Sequence, residues 1–194
     1  MSNKIIFIHG SPRKNGNTMA MSKIAIRSAQ KNNAEISEVD GTKLEFKIPG
    51  CSACMKCHQS EEFLCTIDDE LTHTVARFSE FDVIVIATPI YWMSYTAQIK
   101  MVIDRMGSLM KFTEKGEVQT PLEGKTLAIL STGGSGFKDN LELLEHQWRG
   151  VAYMLSCRFN SCLFPNVPAE MGVLNNDPAA VKKAQEFGQL IASS

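Results

Sequence analysis

The sequence has no excess of charge of either sign. Its 20 Lys and Arg residues are balanced by 21 Asp and Glu residues, which gives a formal net charge of -1 at pH 7. No run of Lys or Arg interrupts this balance. Proteins that bind nucleic acids or anionic membrane surfaces usually carry a basic patch, so we expect neither kind of partner.

Long apolar runs are also missing. The apolar run in the N-terminal segment MSNKIIFIHG is too short for a signal peptide, and no stretch reaches the roughly 18 consecutive apolar residues of a membrane-spanning helix. We therefore expect a cytoplasmic protein. In that compartment the six Cys residues should be thiols, metal ligands or redox-active groups before they are structural disulfides.

Two common nucleotide-binding fingerprints are absent as well. The chain contains no G-x-G-x-x-G, and the segment GSPRKNGNT at 10–18 lacks the Lys that follows the second Gly of a triphosphate-binding loop. Segment 10–18 nevertheless lies between an apolar run and a helical pattern, where the first N–H groups of the helix and its dipole attract phosphate. We interpret it as a phosphate-binding turn, with an ordinary polar turn as the alternative. Its candidate ligands are Ser11, Arg13, Asn15, Asn17 and Thr18.

The chain has the length and composition of one globular domain. Its 194 residues are 44% hydrophobic and 21% charged, which are ordinary values for a domain that buries its own core. Five segments predict strands, at 4–9, 35–39, 81–87, 126–130 and 160–164. The segment at 81–87, FDVIVIA, is apolar enough to be covered on both faces.

Helical patterns lie between these strands and after the last one. Three of these helices have candidate N-terminal caps: Asn17 or Thr18 for the first, a capping box from Thr66 to Asp69 for the second, and Asp177 followed by Pro178 for the last. Strands that alternate with helices predict an α/β fold with a doubly wound, five-stranded parallel sheet in the order 2-1-3-4-5 and helices on both faces. We expect a single domain over 1–194, with a Cys-rich loop insert at about 47–66.

Three loops at the carboxyl ends of strands differ from ordinary connections. They are 10–18, the aromatic segment TPIYWMS at 88–94, and the small-residue segment STGGSG at 131–136. In the predicted strand order these loops converge on one crevice. They offer phosphate-binding groups, apolar surface and backbone donors, respectively. This combination suits a mononucleotide with a large flat ring, so we infer FMN, although segment 88–94 would also serve as a loop packed under a neighbouring subunit.

At these same segments the sequence resembles a known family, the NAD(P)H-dependent FMN reductases and related iron-sulfur flavoproteins of the flavodoxin-like superfamily. The resemblance rests on 10–18, on TPIYWMSYTAQIKMVIDR at 88–105 and on 131–136. It implies that Ser11, Arg13, Asn17 and Thr18 bind the FMN phosphate. It also implies that Pro89, Ile90, Tyr91 and Trp92 lie along the ribityl chain and the ring, and that Thr132, Gly133 and Gly134 meet the pyrimidine edge.

The resemblance further implies an oxidoreductase that uses NAD(P)H as co-substrate and assembles as a homodimer or homotetramer with its flavin sites near a subunit interface. Because the cofactor carries the chemistry, we expect no catalytic side chain. The acceptor stays open among a quinone, a nitro compound, an azo dye, free flavin and oxygen. An electron-transfer carrier is the first alternative function, although the near-neutral charge favours the enzyme. A redox-sensing or metal-binding module is the second.

The cysteine cluster in the insert has the pattern C-x2-C-x2-C-x7-C, formed by Cys51, Cys54, Cys57 and Cys65. Closely spaced Cys residues on a turn can converge on one face of an iron-sulfur cluster. The spacing resembles that of the iron-sulfur flavoproteins, in which a [4Fe-4S] cluster exchanges electrons with FMN. A structural zinc site usually pairs two C-x2-C hooks, and the second hook is missing here. Free thiols or a redox pair remain the other interpretation.

Overall fold

The computed structural model describes residues 2–194. Its main sheet contains five strands in the order β2-β1-β3-β6-β7, and every neighbouring pair is parallel. These strands are β1 (Lys4–His9), β2 (Glu35–Asp40), β3 (Val83–Pro89), β6 (Thr126–Thr132) and β7 (Arg158–Phe164). The predicted order 2-1-3-4-5 is confirmed, because β6 and β7 are the fourth and fifth long strands along the chain.

Helices cover both faces of this sheet. They are α1 (Asn17–Lys31), α2 (Glu70–Ala76), α3 (Ala97–Arg105), α4 (Glu142–Met154) and α5 (Pro178–Ala192). Along β1, Ile5 and Phe7 pack into a core with α1 and α5, whereas Ile6 and Ile8 pack into the core under α2, α3 and α4. The strand is buried on both faces because successive side chains point to opposite sides of it. None of the helices described in 2–194 combines the length and apolarity that crossing a membrane requires.

The caps of two helices differ from the prediction. The N-cap of α1 is Gly16, which carries no side-chain cap, so neither Asn17 nor Thr18 caps the helix. The predicted capping box is also wrong, because α2 begins at Glu70 with Asp69 as its N-cap. The carboxylate of Asp69 accepts from the Thr72 N–H at 2.9 Å, and its other oxygen accepts from the Lys47 N–H at 3.0 Å.

The remaining cap agrees with the sequence. Asp177 caps α5 and accepts from the N–H groups of Ala179 and Ala180, with Pro178 in the first turn. The predicted caps therefore fail at the N-termini of α1 and α2 and are confirmed at α5.

One small element lies outside the predicted plan. Residues 111–119 form a hairpin of β4 (Lys111–Phe112) and β5 (Val118–Gln119), in a stretch whose polar composition suggests a plain connection. The predicted third strand is also displaced, because 81–82 precede β3 and Thr88 and Pro89 extend it beside Ser131 and Thr132. The Cys-rich insert lies between β2 and α2, as predicted, and contains a short turn of 3-10 helix at Lys56–Gln59.

Candidate functional site

The three loops predicted to converge do surround one cavity. It has a volume of about 440 Å³, which lies within the range of small-molecule and cofactor sites. Ten of the twelve residues predicted to bind the cofactor line it: Ser11, Arg13, Asn17, Thr18, Pro89, Ile90, Tyr91, Thr132, Gly133 and Gly134. Asn15 and Trp92 do not belong to the lining.

The phosphate-binding turn lies at the N-terminus of α1. Its N-cap Gly16 offers no side-chain oxygen to the first N–H groups of the helix, so these donors are left for another acceptor. A Cβ atom at position 16 would lie 3.0 Å from the Arg13 Cβ and 3.2 Å from the Arg13 carbonyl oxygen. Any other residue would crowd this tight turn, whereas glycine fits it and leaves the helix end open.

Two hydroxyls join the first turn to the glycine loop. The Oγ1 atoms of Thr18 and Thr132 are 2.7 Å apart, and both residues are buried. Ser11 instead packs within its own turn, where its Oγ accepts from the Arg13 N–H at 3.3 Å. The first turn of α1 and the end of β6 are thus held together where both line the cavity.

The aromatic loop after β3 makes a very tight turn. The Tyr91 N–H donates to the Ser94 carbonyl at 2.9 Å and the Ser94 N–H donates back to Tyr91 at 3.1 Å. This closure places Trp92 and Met93 in the left-handed region, with φ of 48° and 58°. As a result Tyr91 faces the cavity whereas Trp92, with 96% of its surface exposed, is at the tip of the loop.

The glycine loop packs directly against the aromatic loop. The Ile90 N–H donates to the Thr132 carbonyl at 3.0 Å. A Cβ atom at position 133 would lie only 2.8 Å from the Ile90 Cγ2 atom, whereas at position 134 the nearest atom would be 3.7 Å away. Gly133 is therefore needed for this packing, and Gly134 keeps a stretch of backbone open on the cavity side.

A fourth segment, which shows neither a helical nor a strand pattern in the sequence, completes the wall. It is the strap, residues 166–174, which follows β7 and contributes Val167, Pro168, Ala169 and Met171 to the lining. The Val167 N–H donates to the Gly133 carbonyl at 2.9 Å. The strap has no periodic pattern, and its only local signal was its position after the last strand, at the same sheet edge as the other loops.

The charge of the cavity suits an anion. Among the residues that line it, Arg13 alone carries a charge, and no carboxylate joins it. Apolar side chains of Ile90, Val167 and Met171 share the wall with the polar groups of 10–18. An open helix end, one guanidinium, an apolar wall and glycine backbone together match a phosphorylated ligand with a flat apolar ring.

The four cysteines of the insert surround a second, smaller pocket. Cys51, Cys54, Cys57 and Cys65 all line it, together with Met55, Ile67 and Arg105. Burial raises the pKa of the Cys57 thiol, and the other three cysteines add to this increase. Hydrogen bonds to Cys54 from the Lys56 backbone and the Ser52 side chain lower the pKa of the Cys54 thiol.

The arrangement of these thiols bears on the metal that they could hold. Within residues 2–194, no three His, Cys, Asp or Glu side chains are close enough together to hold a single metal ion. All four cysteines nevertheless line one space, and the Ala53 N–H donates to the Cys51 Sγ at 3.3 Å. Cysteines around a shared space are the ligand type of both iron-sulfur clusters and zinc.

Arg105, which sequence reasoning did not single out, holds one arm of the insert. Its Nε donates to the Gly50 carbonyl at 2.6 Å and its Nη2 to the Ile48 carbonyl at 2.8 Å. Its Nη1 also donates to the Asp69 Oδ1 at 2.9 Å. Burial alone would raise the pKa of Asp69, but the hydrogen bonds from Thr72, Lys47 and Arg105 hold it below the usual value.

Lys111 of β4 holds the other arm of the insert. Its ammonium donates to the Ser60 carbonyl and lies 4.7 Å from the centroid of the Phe63 ring. The short hairpin therefore helps to hold the Cys-rich insert in place, together with Arg105 at the end of α3.

Sequence and fold are both similar to those of known flavoproteins. The family model of NADPH-dependent FMN reductases matches residues 3–158. The iron-sulfur flavoprotein of Methanosarcina thermophila is 30% identical over 160 residues, which are 81% of this chain and 78% of that protein. The FMN-dependent NADH:quinone oxidoreductase of Polaromonas naphthalenivorans (strain CJ2) is 34% identical over 116 residues, which are 57% of this chain and 51% of that protein.

A solved structure has a similar fold. An FMN-dependent NADH-azoreductase from Bacillus anthracis str. Ames Ancestor, in complex with FMN, superposes with a TM-score of 0.72 at 13% identity. The superposition covers 98% of this chain and 100% of the azoreductase chain. At this low identity the likeness shows a shared fold.

Proposed function

Because the chain belongs to the NADPH-dependent FMN reductase family, we propose that it binds FMN in the cavity at the ends of β1, β3 and β6 and passes reducing equivalents from NAD(P)H to a small-molecule acceptor. Enzymes of this family are NAD(P)H-dependent flavin oxidoreductases, and this chain is one of them. The observation that carries the placement of FMN is the convergence of a phosphate-type turn, an apolar loop and a glycine loop on one cavity.

The lining suggests an orientation for FMN. The helix end, Ser11, Arg13 and Thr18 would hold the phosphate, because they bring the donors and the only charge in the cavity. Pro89, Ile90 and Tyr91 would lie along the ribityl chain and one side of the ring. The backbone of 132–134 would face the pyrimidine edge, where N–H groups influence the reduction potential of a flavin.

The side chains serve mainly to bind and orient. When bound, FMN supplies a centre that takes a hydride and gives up electrons, so the protein needs no acid or base of its own. The apolar side chains of Ile90 and Val167 line the cavity and would exclude water from the bound ring. Tyr91 is 44% exposed at the mouth, which leaves room for a nicotinamide and then an acceptor to reach the same face.

The acceptor that we propose is a small molecule such as a quinone or a flavin. The Polaromonas relative is named for its quinone, and the half-exposed aromatic Tyr91 offers a flat surface at the mouth of the cavity. Anaerobic stopped-flow mixing with NADH or NADPH would test the enzyme function through bleaching of the flavin. Bleaching too slow to support turnover with either nucleotide would contradict it.

Arg13 tests the phosphate assignment. Charge-assisted hydrogen bonds contribute about 1.5–3 kcal/mol, so Arg13→Ala should weaken FMN binding roughly 10- to 100-fold. Riboflavin lacks the phosphate and should lose less affinity than FMN, because Arg13 affects it only through the single bond to the Ala169 carbonyl of the strap. Flavin fluorescence titration measures both. Lys14→Ala, which removes the neighbouring cation outside the cavity, is the control, and undiminished FMN affinity in Arg13→Ala or Thr18→Ala would rule the assignment out.

A second candidate function is that of an iron-sulfur flavoprotein that carries electrons between FMN, a [4Fe-4S] cluster and partner proteins. It is favoured by the four cysteines around one pocket and by the name of the Methanosarcina relative. In that case Cys51, Cys54, Cys57 and Cys65 would ligate the cluster, which supplies one-electron transfer.

The absorbance spectrum and acid-labile sulfide of protein purified without air test the cluster. A broad iron-sulfur shoulder that Cys54→Ser removes and Cys162→Ser preserves would support it, because Cys162 is buried in β7 far along the chain from the insert. Protein without labile sulfide would exclude the cluster, and bound zinc would then identify the competing metal.

We also propose a homo-oligomer in the cytoplasm. Tyr91, Trp92 and Met93 expose apolar surface next to the flavin cavity, as a subunit interface there would require. None of the six cysteines, all within the described residues 2–194, forms a disulfide, which is usual for proteins of a reducing compartment.

A further inference from the structure

We propose that the side chain of Asn17 positions the strap, residues 166–174, over the phosphate end of the cavity and makes no contact of its own with the phosphate. The sequence pattern assigns Asn17 to the phosphate, because it stands in a polar turn before a helix. The hydrogen bonds of its side chain go to the strap instead. This inference rests on the proposed FMN site and adds a fourth wall to it.

The amide of Asn17 has both of its N–H groups engaged. Its Nδ2 donates to the Glu170 carbonyl at 2.8 Å and to the Pro168 carbonyl at 3.2 Å. Its Oδ1 accepts from the Leu174 N–H at 3.3 Å. An amide nitrogen has only two N–H groups, so none is left for a phosphate oxygen. The residue is also only 8% exposed.

The neighbouring Arg13 differs in both respects. One of its N–H groups donates to the Ala169 carbonyl at 3.0 Å, and a guanidinium has five such donors. Arg13 is exposed at the cavity, so it can hold a phosphate and the strap together. Asn17 therefore anchors the strap, whereas Arg13 bridges the strap and the ligand.

The strap is held from two sides. Its beginning is bonded to the glycine loop, through Asn166 to Ser135 at 2.9 Å and Val167 to Gly133 at 2.9 Å. Its middle and end are bonded to 10–18 through Asn17 and Arg13. The backbone of 168–171 is otherwise exposed, and Asn17 provides three of the contacts that keep it in place.

This arrangement gives Asn17 a role that reaches beyond the phosphate. The strap lines the cavity with Val167, Pro168, Ala169 and Met171, so its release removes a wall from the whole ligand. Loss of the anchor should then weaken a flavin with a phosphate and one without it by the same factor. A direct phosphate contact would instead weaken FMN alone.

Asn17→Ala tests the anchor in two measurements. In the flavin-free protein, amide hydrogen exchange in peptides that cover 166–174 should become about tenfold faster, because the three bonds are lost. The dissociation constants of FMN and riboflavin should both rise, by a common factor of about ten. Asn32→Ala removes a bonded Asn at the other end of the same helix and should change neither.

Asn17→Asp keeps the shape of the side chain, which makes it the second variant if Asn17→Ala does not fold. It can still accept from the Leu174 N–H, but it places a carboxylate oxygen against the carbonyls of Pro168 and Glu170. Strap exchange should rise and riboflavin affinity should fall, with an unchanged circular dichroism spectrum.

Unchanged strap exchange, or a loss of affinity confined to FMN, would overturn the proposal. The FMN site itself fails if the wild type binds neither flavin. In that case the exchange measurement on the flavin-free protein still decides whether Asn17 holds the strap.

Discussion

Arg105 is a cation with a side chain that is 1% exposed, and its closest charge is the equally buried Asp69. A pair of this kind contributes little net stability, but removing one partner leaves a buried charge without compensation. We expect Arg105→Met to lower the free energy of unfolding by about 3–5 kcal/mol, as measured by urea denaturation. The Cys-rich insert should lose its protection from proteolysis first, because Arg105 also holds the carbonyls of Ile48 and Gly50.

Lys100 provides the matched comparison on the same helix. Its ammonium pairs with Asp104 in an exposed position one turn along α3, where such pairs contribute about 0.3–0.5 kcal/mol. A Lys100→Met variant as unstable as Arg105→Met would show that burial does not determine the effect.

Asp69 makes stability depend on pH. Its folded-state pKa lies below the ordinary value of 3.8, so the ionised form is stabilised by folding. This contribution is present above the unfolded-state pKa and is lost as pH falls through the folded-state value. Asp69→Asn should be less stable at neutral pH and should lose less stability than the wild type between roughly pH 5 and pH 2. Urea denaturation across that range measures both slopes, with the exposed Asp68→Asn as the control.

These residues show where reading the sequence is weakest. Asp69 and Asn17 are both polar residues at the start of a helix, and the local pattern predicts Asp69 as part of a capping box and Asn17 as a cap or a phosphate ligand. Their partners come from residues far away in the chain, Arg105 for one and the strap for the other. A local pattern contains no information on such partners, so the roles of these side chains could not be predicted.

Two glycines inside helices allow the packing of α5 against α1 to be tested with the same Gly→Ala substitution. In α5, a Cβ atom at Gly188 would lie 2.2 Å from the Ala25 carbonyl oxygen of α1, whereas at Gly150 of α4 it would meet nothing within 4 Å. Gly150→Ala should raise the free energy of unfolding by about 0.5–1 kcal/mol. Gly188→Ala should lower it by about 1–3 kcal/mol, because α1 and α5 must move apart.

Thermal unfolding of the two variants measures this difference. Replacing glycine by alanine gains the same helix propensity in both variants. A Gly188→Ala variant that is more stable than the wild type would therefore mean that α1 and α5 are farther apart than this contact requires.

At the level of elements the sequence identifies long, strongly patterned segments and misses short ones. The runs around Val85 and Ile129 predict central strands because they are apolar throughout, and both are fully buried. The hairpin of β4 and β5 has two residues in each strand, too few for an alternating pattern. Pro89 extends β3 because it lies opposite Thr132 of β6 and the next residue, Ile90, donates its N–H to the Thr132 carbonyl, although proline is rare inside a sheet.

For the whole molecule, topology explains why most of the cavity could be predicted. Once strands and helices alternate, the parallel order brings the ends of β1, β3 and β6 to one edge, and the residue types of 10–18 and 131–136 indicate the phosphorylated ligand that we propose for it. The strap escaped prediction because it has neither periodicity nor glycine-rich backbone. It follows β7 at the same edge of the sheet, however. The rule that loops at the carboxyl ends of parallel strands meet at one edge would therefore also have placed it.

Trp92 provides a test of the assembly. A tryptophan that is 96% exposed at the tip of a tight turn beside the flavin cavity is unfavourable in a monomer, and such residues often dominate interfaces. We expect the wild type to sediment as a homodimer or homotetramer, and Trp92→Ser to raise the subunit dissociation constant roughly 30-fold or more, since such residues contribute at least about 2 kcal/mol.

Sedimentation velocity over a range of protein concentrations measures the shift. Leu190→Ser removes an apolar side chain that is also exposed, on α5, and should leave the assembly intact. A wild type that stays monomeric at every concentration would contradict the oligomer. An unchanged assembly in Trp92→Ser would mean that the interface lies elsewhere, and Trp92 would then remain free to meet the acceptor at the mouth of the cavity.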